Sequence, residues 1–315
     1  MQAVVIDDGN LMWVERPDPV PGDTELLVAV EAAGLNGADM LQRLGLYPVP
    51  PGWPADIPGM EFAGEVVRVG KNVTRHKAGD RVMAVVGGGA QATLARVDEV
   101  HAMPVPAGLA WPEAGGFPEV FSTAYDGLFN QGQLTMGERV LVSGSAGGVG
   151  TAAVQMAAAA GAEVVATVRS PDRRDEVAAL GATHVVDPSD VAAYGPYDVV
   201  LELVGAESLD AVFPHLAVGA RVVVIGVGSG ATISLNLFSL MATRSRLSGS
   251  TLRSRSLEEK AVLAGAMAKH VLPLLGSGRL TVPVCATVPM AEVESAYARF
   301  EAGSKLGKVV LIPRA

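Results

Sequence analysis

In the first third of the chain, short β-rich runs alternate with turn residues. Glu25 to Val30, Glu61 to Val69, Arg81 to Val86 and Thr93 to Val97 are separated by Pro, Gly and Asp. Runs of that length and punctuation predict a small, irregular β-domain. One helix is predicted inside it, from Asn36 to Leu44. Asn36 suits an N-cap, Asp39 supports the first turn, and Met40, Leu41 and Leu44 form the face expected to turn inward. The Pro- and Gly-dense stretch from Tyr47 to Gly59 then reads as a loop.

From Val140 the rhythm becomes strand then helix. Val140 to Ser143 leads into a helix from Gly148, Glu163 to Val168 into a helix from Asp172, and Val199 to Leu203 into a helix from Glu207, with further strands at Thr183 to Val186 and Arg221 to Gly226. Apolar, β-branched strands alternating with helices predict an α/β fold with a doubly wound parallel sheet covered on both faces. The tail adds an amphipathic helix from Leu257 to Leu275, a shorter one from Met290 to Glu301 and a last strand, Lys308 to Ile312, expected to return to the first domain.

Size and charge narrow the function. At about 150 residues per domain, 315 residues make two domains. A net charge of −9 disfavours nucleic acid or an anionic membrane as the general partner. The lone Cys285 forms no internal disulfide and builds no Cys-based structural zinc site, which fits a reducing cytosol. The acids in Met1 to Asp8 are unlike the basic start of an export signal, so a cytoplasmic protein is expected. Val140 to Ala162 and Val222 to Thr243 lack charge for more than 20 residues each, but Gly and Ser clusters interrupt both. They read as buried strand-turn-helix units rather than membrane spans.

The segment Val140-Leu-Val-Ser-Gly144-Ser-Ala-Gly147-Gly148-Val-Gly150 is a strand, a tight glycine turn and the start of an Ala-rich helix. Glycines permit positive φ and let a pyrophosphate approach backbone N–H groups at a helix N-terminus. Ser145 stands where the strict G-x-G-x-x-G would begin, so the fingerprint is missed by one residue. Inside a βαβ train the turn still points to a nucleotide. The end of the following strand selects which one, and Val168-Arg169-Ser170-Pro-Asp-Arg173-Arg174 offers three arginines and a serine where an NAD site places an acid. That composition favours the 2′-phosphate of NADP(H).

With these motifs in place, the chain resembles the medium-chain dehydrogenase/reductase superfamily, and within it the zinc-free, zeta-crystallin-like quinone oxidoreductases. The marks are Ala33-Gly-Leu-Asn36-Gly-Ala-Asp39, Gly45-Leu-Tyr47, Ile57-Pro-Gly-Met-Glu61-Phe-Ala-Gly64, Ala78-Gly-Asp80, Ser145 to Gly150, Leu180-Gly-Ala and Gly307-Lys-Val-Val-Leu. Phe117-Pro-Glu-Val-Phe-Ser-Thr123 and Ser250-Thr-Leu-Arg253 are most similar to the branch containing the p53-inducible quinone oxidoreductase. The resemblance implies a GroES-like catalytic domain (residues 1–120 and 252–315) enclosing a Rossmann domain (121–251), and a homodimer formed through the outer strand, Leu247 to Thr251. Zinc relatives hold metal with Cys, His and Cys, whereas those positions here are Asn36, Met60 and Glu119, a poor zinc set. No metal is therefore expected.

For the cofactor, NADPH, the resemblance implies contacts from Thr123, Gly147, Gly148, Val149, Ser170, Arg173, Gly226 and Arg253. Relatives add a tyrosine after the third strand, where this chain has Pro188. The implied reaction is hydride transfer to a quinone, with Tyr47 and Asn36 as candidate donors to the carbonyl oxygen that gains charge. Tyr47 is equally a packing aromatic, and Asn36 equally a cap. A reductase of α,β-unsaturated carbonyls is the alternative, since polyketide synthase enoyl reductases share the Leu-Asn-x-x-Asp and Gly-x-Tyr marks. A non-catalytic NADPH- or RNA-binding role is the third, against which the glycine turn and acidic balance speak.

Overall fold

The computed structural model describes residues 1–303 and 305–313. The chain divides into two compact units, Met1–Ser122 with Leu252–Ala315, and Thr123–Thr251.

The first unit carries a seven-stranded sheet. Its order is Val284–Pro289, Lys308–Ile312, Glu25–Gly34, Glu61–Val69, Arg81–Val85 and Met103–Pro104, and Leu94–Asp98 also pairs with Glu25–Gly34. The tail strand comes back as expected, with Val310 opposite Gly34 and Leu311 opposite Ala33. Leu26, Val28, Phe62, Val82, Tyr297, Val309 and Leu311 share one apolar core, so the N-terminal third and the tail fold as one body.

Three local features depart from the sequence reading. A hairpin, Gln2–Asp7 with Asn10–Glu15, precedes the sheet. Its Asp8-Gly9 turn takes positive φ at both residues, 46° and 78°, as a two-residue hairpin loop requires. The helix Gly37–Arg43 starts after Asn36, but its buried residues are Asp39 and Gln42, while Leu41 and Leu44 are exposed. Its inner face thus meets a polar cluster through Asp39 and Gln42, and reaches the apolar core only through Met40, which is packed there as expected. The tail helix is two helices, Leu257–His270 and Leu272–Gly276, because Pro273 has no N–H with which to continue the ladder.

The second unit is a six-stranded, all-parallel sheet in the order His184–Val186, Glu163–Thr167, Arg139–Val142, Tyr197–Glu202, Leu216–Val224, Arg246–Gly249. Chain order reverses between Arg139–Val142 and Tyr197–Glu202, which places a crevice at the carboxyl ends of those two strands. The first uncharged stretch is, as read, a strand and a buried helix, Gly148–Ala159. The second is buried only in its strand part, at Val222 and Val223; its helix Leu237–Thr243 exposes Leu237, Phe238 and Met241. Among the described residues no helix is long and apolar enough to cross a membrane.

Candidate active site

A buried polar cluster occupies the centre of the first unit. Lys308 donates to Glu61 Oε1 at 2.7 Å, to Asn36 Oδ1 at 2.8 Å and to the Leu35 carbonyl at 2.5 Å. Asn36 spends both amide hydrogens, on Glu61 Oε1 at 2.9 Å and on the Gly34 carbonyl at 3.3 Å. The second Glu61 oxygen accepts the Glu119 backbone N–H at 2.8 Å. A Cβ on Gly34 would lie 2.3 Å from Glu61 Oε1, so only glycine leaves room for this carboxylate.

Asp39 serves the same cluster by holding backbone. Its carboxylate accepts N–H groups from Asn36 at 2.9 Å and Gly59 at 3.1 Å, which closes the loop before Glu61–Val69. Burial nevertheless raises its pKa to about 6. Asn36 does occupy the N-cap position, but its side chain faces Glu61 and Lys308 and makes no cap bond. With both amide hydrogens engaged, it has none left for a substrate oxygen.

Glu119 lies beside these groups and differs from them. It is 9% exposed, and among the described residues nothing hydrogen-bonds its carboxyl. Burial first, then the charge of Glu61 and more weakly of Asp39, push its pKa up to about 8 against Lys308 and Lys260. Glu119 is thus largely a neutral acid at pH 7.

Tyr47 and Arg253 meet in the same unit. The Arg253 guanidinium lies 5.1 Å from the Tyr47 ring centre, and it donates to the Gly87 carbonyl at 2.9 Å, the Tyr47 carbonyl at 3.3 Å and Gln42 Oε1 at 2.5 Å. Arg253 is buried and works as a clamp on the Tyr47 loop, each of its guanidinium nitrogens donating a hydrogen bond within this unit. Its carbonyl takes the Lys260 ammonium at 2.8 Å. Burial, and after it Glu119, raise the Tyr47 phenol above its ordinary value, while Arg253 opposes them.

The positions that hold zinc in metal-dependent relatives do not fit it here. The Asn36 oxygen already accepts Lys308, Met60 offers a buried thioether, and Glu119 is a single carboxyl held largely neutral. Among the described residues no group of three or more His, Cys, Asp or Glu is disposed to bind a metal.

In the second unit the glycine turn sits at the carboxyl end of Arg139–Val142. Gly144 takes φ +61°, Gly147 caps the helix, and Gly150 packs so closely that a Cβ would lie 2.6 Å from the Gly144 carbonyl oxygen. Gly147 is different: its nearest neighbour would be 3.5 Å from a Cβ, and Ala146 to Val149 are partly exposed. Gly150 is therefore required by internal packing, whereas the open side of Gly147 and Gly148 fits the approach of a pyrophosphate. The next strand is tied to the turn, through Ser145 N to Thr167 O at 3.0 Å and Gly144 N to Thr167 Oγ1 at 3.2 Å.

This tie carries Ser170 and the arginines to the same carboxyl end of the sheet as the glycine turn. Arg174 is committed to the Val168 carbonyl at 3.2 Å and to Asp187 at 2.8 Å. Arg173 pairs with Glu176 at 2.7 Å, both half-exposed, and Arg169 is exposed at the strand end. Pro188 begins a short helical turn, Pro188–Tyr194. Gly226 closes its strand against Leu203, whose carbonyl oxygen would be 2.2 Å from a Cβ. Thr123 is buried on the helix Pro118–Tyr125, one turn after Glu119.

One residue at the crevice had no motif to announce it. Glu202 Oε1 accepts Ser143 Oγ at 2.8 Å and the N–H groups of Val204 and Gly205 at 2.7 and 2.8 Å. Ser143 Oγ in turn accepts the Leu203 N–H at 2.7 Å. The bridge joins the two strand ends where chain order reverses. Only the acid that ends an otherwise apolar strand hinted at it.

Two family models match the chain: alcohol dehydrogenase GroES-like domain over residues 22–130, and zinc-binding dehydrogenase over residues 148–267. Human quinone oxidoreductase is 31% identical over 93% of this chain and 91% of its own length. The mycocerosic acid synthase-like polyketide synthase of Mycobacterium tuberculosis is 33% identical over 100% of this chain, which spans only 16% of that protein. The solved quinone oxidoreductase of Pseudomonas syringae pv. tomato DC3000 superposes with a TM-score of 0.86 at 29% identity over 99% of both chains.

Proposed function

Since the chain belongs to the medium-chain dehydrogenase/reductase superfamily of oxidoreductases, we propose that it is an NADPH-dependent, metal-independent reductase of quinones. The observation that carries this reading is the donor set at Asn36, Met60 and Glu119, two of them locked into or beside the Lys308–Glu61 network. Such a set supplies no Lewis acid, so the acceptor must already be electrophilic, as a quinone is.

When bound, the reduced nicotinamide supplies a hydride. The Gly147 to Val149 turn would hold the pyrophosphate through backbone N–H groups and the helix N-terminus. Arg173, with Arg169 and Ser170 beside it, would hold the 2′-phosphate. Thr123 would line the nicotinamide end. Tyr47, fixed through its carbonyl and ring by Arg253, presents an aromatic face suited to a flat acceptor. A second copy of the chain is the partner this reading expects at the exposed edge strand Arg246–Gly249, and the cytoplasm its compartment.

The second reading, reduction of enones or enoyl thioesters, is supported by the polyketide synthase similarity. The test of the first is to strip the protein with a chelator, load it with NADPH and add 1,2-naphthoquinone. Loss of NADPH absorbance at an unchanged rate supports the proposal. No oxidation, or oxidation restored only by zinc, overturns it.

A further inference from the structure

We propose that Glu119 is the catalytic acid that delivers the proton accompanying hydride transfer, an inference that rests on the reductase reading above. The polar groups nearest to it in the cluster are already engaged. Asn36 has both amide hydrogens bonded, Glu61 carries Lys308 and the Glu119 N–H, and Asp39 carries two backbone N–H groups. Lys260 is bonded to the Arg253 carbonyl, and His101 Nε2 lies 2.8 Å from the Leu257 carbonyl. The Tyr47 phenol holds its proton more tightly than an ordinary tyrosine.

Among the described residues of the cluster, Glu119 combines burial, an unbonded carboxyl, a small exposed edge and a proton retained at neutral pH. The groups that set its charge are the acids Glu61 and Asp39 and the cations Lys308 and Lys260. Its placement suits the task, because Thr123, the residue assigned to the nicotinamide end, follows it by one turn of the same helix.

The chemistry balances without another reactant. The quinone gains a hydride, two electrons and one proton, from the dihydronicotinamide. As the C–H bond of the nicotinamide breaks, charge gathers on the quinone oxygen. The Glu119 O–H bond breaks and its proton forms the new O–H of the hydroquinone, leaving NADP⁺ and a Glu119 carboxylate. That carboxylate is disfavoured beside Glu61 and recovers a proton from solvent through its exposed edge. The sum is quinone, NADPH and one proton giving hydroquinone and NADP⁺.

The test combines a titration of the free protein with turnover. In protein carrying carboxyl-¹³C glutamate, one resonance should titrate near neutral to mildly alkaline pH and be absent from Glu119→Gln. Quinone reduction by the native protein should fall as pH rises through the same range. Glu119→Gln should lose ~100-fold or more of kcat, within the usual span for general acid catalysis, together with that pH dependence, while binding NADPH with unchanged affinity. Glu119→Asp should recover part of the rate. A Glu119 carboxyl already ionised at pH 6, or a Glu119→Gln protein with native rate and pH profile, overturns the proposal and leaves the reductase reading intact. If the native protein oxidises NADPH with neither quinone nor enone, the reductase reading fails and the acid role fails with it.

Discussion

Lys308 and Glu61 form an ion pair 2.7 Å long in which both side chains are almost wholly withdrawn from water. Such a pair adds little net stability over an apolar one, but losing one member strands a buried charge. Lys308→Met should therefore cost about 3–5 kcal/mol, and the double variant Lys308→Met, Glu61→Gln should recover a large part of it. Urea unfolding of the three proteins measures this, and a single variant as stable as the native protein would contradict it.

The glycines of the turn should separate into two kinds. Gly150→Ala forces a methyl against the Gly144 carbonyl and should lower stability by about 1–3 kcal/mol. Gly147 has an ordinary φ of −73° and space for a Cβ, so Gly147→Ala should unfold with the native midpoint yet bind NADPH at least tenfold more weakly, about 1.4 kcal/mol. Thermal melts beside fluorescence titrations test both. Equal effects of the two changes on stability would refute the distinction.

At the basic strand end, Arg173→Ala and Arg169→Ala should each weaken NADPH binding about tenfold and leave NADH unchanged, because the lost partner is the 2′-phosphate. Arg253→Ala should behave differently. It releases the Tyr47 loop and Gln42, so it should lower stability without altering the preference between the two nucleotides. A shift in that preference on Arg253→Ala would return this residue to the cofactor site.

Protonation of Glu119 also makes stability depend on pH. Its folded pKa, about 8, lies above the ordinary value of 4.5, so between those limits the folded protein keeps a proton that the unfolded chain releases. Its contribution is complete below about pH 4.5 and is lost as pH rises towards 8. Compared with the native protein, Glu119→Gln should thus gain on the order of a few kcal/mol between pH 5 and pH 8. Parallel stability curves for the two proteins would show that the carboxyl is not buried as a neutral acid.

What was legible in the sequence was local. Apolar runs gave the strands Glu61–Val69 and Lys308–Ile312, and the glycine turn between strand and helix gave the nucleotide site its place. The Asp8-Gly9 hairpin turn is also written there, in a residue pair well suited to a two-residue turn. The polar cluster was not legible, because Asn36 and Lys308 stand 272 positions apart and meet only when the tail strand joins the sheet. For the same reason the helix Gly37–Arg43 presents Asp39 and Gln42 inward beside Met40, while Leu41 and Leu44, which the apolar pattern also turned inward, are exposed. The clamp made by Arg253 was not legible either, because nothing near it in sequence shows Gly87, Tyr47 and Gln42 waiting for its hydrogens.

The most direct test of the account sets two acceptors against each other. NADPH oxidation by the purified, chelator-treated protein is followed with 1,2-naphthoquinone and, separately, with a simple enone, and kcat/KM is compared. The account predicts that the quinone is the better acceptor by at least tenfold. Turnover of the enone with none of the quinone would contradict it and assign the chain to the reductases of activated double bonds.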